Sequence, residues 1–386
     1  MKVDIAIVGG GIAGMSLAAE LADGDVSVAV LEQENQLAYH TSGRSAATFL
    51  ESYGSPEIRA LTRASRPLFD AASADPDTPA LLTPRLGLWI APPDQLPELD
   101  TLLAAQPALR RLDAAATREL CPALRPGFVA ASALEADAQD LDVAGLFEHC
   151  RRRARRGGAQ IVIGARVRSG HGDGSGGWRL QTDAGEVSAG SVVNASGAWA
   201  DHLAETLGVA PVGLTPFRRT VAVATSDAID RGWPLIGDVG ETFYCRPEGS
   251  GLLLSPADET PSPPCDARAE VEDVALALER VNAATTLELR HVRATWAGLR
   301  TFAPDRNPVV GFDPARAGVF WLAGQGGYGM QTAPAVAVLA AALLRGEAPP
   351  SALDPLDLAR LSPARAVPPG PAVRPVRPVR PRVDLG

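Results

Sequence analysis

The sequence predicts an α/β protein: a Rossmann-like dinucleotide-binding domain joined to a substrate domain of α+β type, built on a mostly antiparallel sheet. Three observations predict it. An apolar run over residues 3–8 leads into Gly9, Gly11 and Gly14, then a helical stretch over 12–21, then a second apolar run over 26–31 that ends in Glu32. From 214 to 302 the pattern changes to strand-like runs in series, interrupted by one long helix over 268–281. The chain has 386 residues, too many for a single core.

The first stretch carries the strongest signal. Gly9 allows the tight turn, Gly11 lets the backbone approach a pyrophosphate, and Gly14 lets helix and strand pack closely. Ile12 and Ala13 open the helix, where free N–H groups and the positive dipole end face a phosphate. Glu32 stands about 20 residues beyond the glycines, placed to accept from ribose hydroxyls, with Gln33 beside it. The unit as a whole predicts a bound dinucleotide. It leaves NAD and FAD both open.

Composition narrows the classes. A net charge of −9 argues against general nucleic-acid binding, and the longest apolar run, 333–344, is too short to span a bilayer. The four cysteines show no C-x-x-C spacing and the five histidines no H-E-x-x-H, so no metal site is expected. A start almost directly on a strand, with few cysteines, predicts a cytoplasmic protein.

The remaining elements follow in order. Residues 43–47 are small and polar, suited to running beside a flat ring. Ser55 and Pro56 form a helix start, and Pro67 is expected to break or kink that helix. A short strand is predicted at 86–90, helices at 96–105 and 114–120, and an amphipathic helix at 143–156 whose arginine-rich end suits its dipole. Strands follow at 161–167, 178–182, 186–189 and 191–194. The last of these ends in Ser196, Gly197 and Trp199, a second place where backbone can meet a nucleotide. Further strands are predicted at 219–225, 242–246, 251–254, 286–295 and 319–322. Gly326, Gly327, Tyr328, Gly329, Met330 and Gln331 then feed an apolar helix. Its N-terminus would stabilise the anion that a reduced flavin carries, which a nicotinamide lacks. Residues 362–386 are Pro/Arg-rich and read as a disordered tail.

Several segments together resemble one family. They are YHTSGRSAA at 39–47, SYGSPEIRALTRAS, NASGAW at 194–199, FRRTVAV, ETFYCRP at 241–247, TWAGLRTFAPDRNPVVG at 295–311, and GQGGYGMQT. The chain resembles the D-amino-acid oxidase superfamily of FAD enzymes, and within it most closely the bacterial D-arginine and D-amino-acid dehydrogenases. The resemblance implies noncovalent FAD, since Trp296 to Arg300 fills the segment where sarcosine oxidases carry a flavin-linking cysteine. It implies that Gly9, Gly11, Ile12, Ala13, Gly14, Glu32 and Gln33 hold the ADP half. Val167 would meet the adenine, and Arg44, Ser45 and Ala46 would line the ribityl chain and ring. Ser196, Gly197 and Trp199 would approach the nucleotide, and residues 326–331 would surround the pyrimidine end. Arg300 would pair with a substrate carboxylate, helped by Arg219 and Tyr244. Tyr53 would cover the substrate, and the Gly327 carbonyl would take its amine.

The departures from that pattern bear on the substrate. Gly87 stands where the D-arginine enzymes have a glutamate for the cationic side chain, Thr48 replaces a histidine, and Leu50 a threonine. An unpaired buried guanidinium is costly, so a neutral, apolar side chain beside Gly87, Phe49 and Leu50 is expected rather than D-arginine. The implied division is 1–82, 139–207 and 303–361 for FAD, and 83–138 and 208–302 for substrate. The expected reaction is oxidative deamination of a D-amino acid, with oxygen or a quinone as acceptor. The alternatives are oxidation of a secondary amine (an N-alkyl glycine) or a 2-hydroxy acid, or an FAD-binding subunit without turnover.

Overall fold

Strand Lys2–Val8 is the centre of an eight-stranded sheet in this computed structural model, which describes residues 1–365 except Asp23 and Ser175. Its apolar run is buried because parallel neighbours cover both edges. Ile5 pairs with Val28 and Val8 with Leu31 on one side, and Ile7 pairs with Val193 on the other. Val319–Ala323 extends the parallel part beyond Asn194, and the hairpin Val167–Gly172/Trp178–Thr182 adds an antiparallel flank. Helices Ile12–Leu21 and Gly329–Arg345 cover one face, with a core that includes Met15, Leu17, Phe320 and Leu339, all fully buried.

The second sheet has nine strands. All its pairs are antiparallel except Leu235–Asp238 with Gly87–Ala91, so the mostly antiparallel sheet expected from the sequence is present. Its longest pair is Thr215–Thr225 with His291–Phe302, in a register that sets Phe217 opposite Arg300 and Arg219 opposite Gly298. Cross-strand partners share a face, so Arg219 and Arg300 point to the same side, toward the first domain. A third sheet of three short strands, Thr48–Phe49, Leu82–Pro84 and Gln139–Leu141, sits where the chain passes between domains.

Several expectations are corrected. Pro67 does not break its helix, which runs Pro56–Ser73. Its face of Ile58, Leu61, Thr62, Ser65 and Phe69 is buried, and that burial outweighs one lost hydrogen bond. The predicted strand at 161–167 is two strands, Gln160–Val162 and Val167–Gly172, because Gly164 turns the chain at φ 64°. The predicted strands at 186–189 and 191–194 are one, Gly185–Asn194. The strand predicted at 286–295 is shifted to His291–Phe302. Phe49 faces the first domain's core, edge-on to Phe69 at 5.6 Å, so it forms no part of a substrate pocket. Residues 362–365 are not part of a loose tail: Arg365 pairs with Asp305 at 2.8 Å and donates to the Asn307 carbonyl. Residues 366–386 lie outside the described residues.

Phe69 is fully buried between the helix and the sheet. Phe69→Ala is expected to lower unfolding free energy by about 3–5 kcal/mol, measured by urea denaturation of the flavin-loaded protein.

Candidate active site

The two domains face each other across a cavity of about 470 Å³ that runs from Glu32 and Val167 at one end to Arg300 and Tyr53 at the other. The first end is built on close backbone approach. A side chain on Gly9 (φ 120°) would overlap the Ala195 carbonyl, and one on Gly14 would overlap the Gly9 carbonyl. Gly14 therefore packs helix on strand and does not line the cavity, while Gly9, Gly11, Ile12 and Ala13 do. The helix they open has no side-chain cap and no acid in its first turn, so its positive end is left for an anion. Ser42 Oγ accepts from the Ile12 N–H at 2.9 Å. Nothing in the spacing pointed to Ser42, a hydroxyl brought in by a distant loop.

Glu32 accepts from the Gly10 N–H at 2.7 Å and the Glu34 N–H at 2.8 Å. Burial still pushes its carboxyl above the usual range. Gln33, Val167, Ser196, Gly197 and Trp199 line the same end. The His40 ring lies against Trp199, 4.5 Å between ring centres and tilted by 45°, and meets Glu34 at 2.9 Å. Nothing in the local sequence around His40 signals this contact, because Trp199 lies far along the chain.

Ser45 and Ala46 run along the middle of the cavity. Arg44 borders it too, but its guanidinium is spent on the second domain, where it reaches Asp266 and the carbonyls of Ala267 and Ala297. It ties the domains together. Gly326, Gly327, Gly329, Met330 and Gln331 close the other side. Gln331 has a further use: its amide accepts from the Leu50 N–H at 3.2 Å and donates to the Leu50 carbonyl at 3.3 Å. Tyr328 is packed rather than lining, with its ring 4.9 Å from Tyr53 and 6.2 Å from Phe302.

Arg300 lies at the deep end. Tyr244, Tyr53 and Tyr328 stand around it, with Tyr53 within hydrogen-bond reach. Arg300 has no carboxylate in an ion pair among the described residues, and part of its surface opens to the cavity. A side chain on Gly327 would come within 2.8 Å of its Nη1. The Tyr244 hydroxyl is buried without a hydrogen-bond partner among the described residues. Arg219 shares the wall but donates to the Asp258 carbonyl at 2.8 Å and lies 3.4 Å from Glu259. Nearby, burial pushes the Glu241 carboxyl above its usual range despite Arg219, Arg306 and Arg300.

The region around Gly87 differs from expectation. Gly87 and Leu50 do not line the cavity. A Cβ on Gly87 would meet Ala138 at 3.3 Å and Glu135 and Leu50 at 3.4 Å, so Leu50 fills the space that a missing side chain was expected to leave. An acid does stand there. Glu135, opposite Gly87 in the strand pair, is 5% exposed and bound to Ser52 and Trp89. Thr48 does border the cavity.

The comparisons agree with this architecture. The family model DAO, FAD dependent oxidoreductase, matches residues 4–343. The chain belongs to that family. Glycine oxidase of Pseudomonas putida is 26% identical over 390 residues, 93% of this chain and 98% of that protein. Human mitochondrial dimethylglycine dehydrogenase is 28% identical over 236 residues, 55% of this chain; the match spans 26% of that protein's length. Among solved structures, glycine oxidase from Geobacillus kaustophilus has a TM-score of 0.82 at 23% identity, covering 95% of this chain and 100% of its own. L-proline dehydrogenase from P. horikoshii has a TM-score of 0.82 at 20% identity, covering 94% and 97%. No described helix is long and apolar enough to cross a membrane.

The glycine cradle and the long cavity fit FAD. Gly14→Val is expected to yield protein without flavin, because the helix must leave the strand to clear the Gly9 carbonyl. The check is flavin absorbance relative to protein absorbance after purification.

Proposed function

We propose that the chain oxidises the Cα–N bond of a small α-amino acid with a neutral side chain, neutral D-amino acids being the first class to test. The observation that carries this is Arg300, a guanidinium deep in the fold, open to the cavity and without a carboxylate partner among the described residues. Burying a cation without an anion is costly, and a substrate carboxylate supplies the anion in a two-pronged match. The unpartnered Tyr244 hydroxyl adds a donor beside it. Arg219, held by Asp258 and Glu259, would support the clamp through its charge rather than by a free hydrogen bond.

FAD, bound noncovalently in this reading, supplies the acceptor for the α-hydrogen as hydride. The protein's part is placement. Arg300 and Tyr244 hold the carboxylate, and the Gly327 carbonyl accepts from the amine and so fixes which face of Cα is presented. Tyr53, over the cavity, excludes water. The described residues set no strong base beside the site, and positioning carries much of the catalysis. The imine product then hydrolyses in water to a 2-oxo acid and ammonia. A neutral side chain is favoured because the acid beside Gly87, Glu135, already serves three protein donors.

A second reading, oxidation of glycine or an N-alkyl glycine, is favoured by the likeness to glycine oxidase across nearly the whole of both chains. The test is anaerobic bleaching of the flavin by D- and L-amino acids, glycine, N-methyl glycines and 2-hydroxy acids. Bleaching by neutral D-amino acids supports the first reading, and bleaching by glycines alone the second. Bleaching by D-arginine would overturn the neutral pocket and direct attention to Glu241, Glu259 and Glu135. Arg300→Ala is expected to lower kcat/KM for the best substrate by about 100-fold or more while flavin content stays unchanged. An FAD-binding subunit without turnover would show no bleaching in either protein.

A further inference from the structure

The segment carrying Tyr53 connects Thr48–Phe49 to helix Pro56–Ser73 and belongs to no ladder. Its ends are held by the first domain. Gln331 grips both backbone groups of Leu50. At the other end Ser55 caps the helix by accepting from the Ile58 N–H at 3.2 Å, and donates to Asn307 Oδ1 at 2.6 Å. Between these anchors the Tyr53 N–H donates weakly to the Leu50 carbonyl at 3.5 Å, and the Gly54 carbonyl accepts from Arg59 at 2.9 Å. The hold on Ser52, the residue before Tyr53, comes from the other domain. Glu135, last residue of strand Ala131–Glu135, accepts from the Ser52 N–H at 3.0 Å and from the Ser52 hydroxyl at 2.5 Å. The same carboxylate accepts from the Trp89 indole N–H at 3.3 Å. The Trp89 ring in turn lies 5.9 Å from that of Tyr53.

We propose that Glu135 is a positioning residue: by holding Ser52 and Trp89 from the substrate domain, it keeps Tyr53 over the cavity and so retains the bound substrate. This rests on the function proposed above, in which Tyr53 covers the substrate. Glu135 has no ion-pair partner among the described residues and is buried. A buried carboxylate without a cation is a costly fastening if stability alone is at stake. Its three donors instead define a geometry: the loop in one position, the indole in one orientation, and the phenol of Tyr53 beside Arg300. Ser52 and Tyr53 are adjacent, so a loop residue turned to Glu135 sets the direction of the next side chain.

The test uses the flavin-loaded enzyme and two readouts. The first needs no substrate. Hydrogen exchange of the 50–55 segment is expected to speed up roughly tenfold or more in Glu135→Gln, the loss of one or two hydrogen bonds, with exchange elsewhere unchanged. Unchanged exchange in that segment overturns the proposal, whatever the substrate proves to be. The second readout is stopped-flow flavin reduction with the best substrate of the panel. Glu135→Gln is expected to raise the substrate dissociation constant roughly tenfold, with a smaller change in the limiting reduction rate. In a Tyr53→Ala background the same substitution should add nothing further. A full additional effect there, or an unchanged dissociation constant in the otherwise native enzyme, overturns the role in substrate retention. Should Glu135→Gln fail to fold, Ser52→Ala cuts the hydroxyl bond from its other end and answers by the same two readouts. If no panel compound bleaches the native flavin, the functional reading fails, and the exchange readout still decides whether Glu135 holds the loop.

Discussion

Backbone meets backbone at Gly9 and Gly14. The turn after the first strand presses on Ala195, and the first helix presses on the turn, at separations that leave no room for a Cβ at either glycine. That contact sets where the first helix begins and therefore where its positive end points. The cavity starts there, and everything placed along it is measured from that turn. Parallel strands on both sides fix the same point, because Val8 is in register with Leu31 and with Asn194.

The second domain answers with charge rather than close approach. Its longest strand pair carries Arg219 and Arg300 on one face, and the two arginines have different surroundings. Arg219 is satisfied by Asp258 and Glu259, whereas Arg300 has tyrosines around it and a cavity in front. Arg219 is thereby part of the wall, whereas Arg300 has no carboxylate in an ion pair among the described residues. Arg44 shows the same distinction in reverse. It belongs to a segment that borders the cavity, yet its charge goes to Asp266 and two carbonyls and fastens one domain to the other.

Between the domains lies the short run that includes Thr48, Leu50, Ser52 and Tyr53. Its anchors come from three places far apart in sequence: Gln331 in the last long helix, Asn307 after the longest strand, and Glu135 in the second sheet. The loop therefore reports the relative position of both domains, and Tyr53 projects where they meet. Polar groups do this work because hydrogen bonds impose direction, whereas apolar contact with Leu235 and Ala138 imposes only proximity.

The sequence by itself determined the dinucleotide unit. Helix Ile12–Leu21, the cap Ser55 and the flanking strands are local features, set by periodicity, glycine and capping chemistry within a few residues. The motifs likewise carried nearly all the lining residues, Arg300, Tyr53 and Tyr244 among them. Tertiary structure decided which of these groups remain free. Gln331 borders the cavity and also clamps the backbone of Leu50; Leu50 packs against the Gly87 position; Phe49, expected beside the substrate, faces the core. It also overrode local signals, since a buried face carries a helix through Pro67 and a turn at Gly164 divides one apolar run into two strands. The reason is physical. A residue's own chemistry states what it can bond to, but whether that bond is already made depends on partners that only folding brings within reach, as Glu135 is brought to Ser52 across 83 positions of chain.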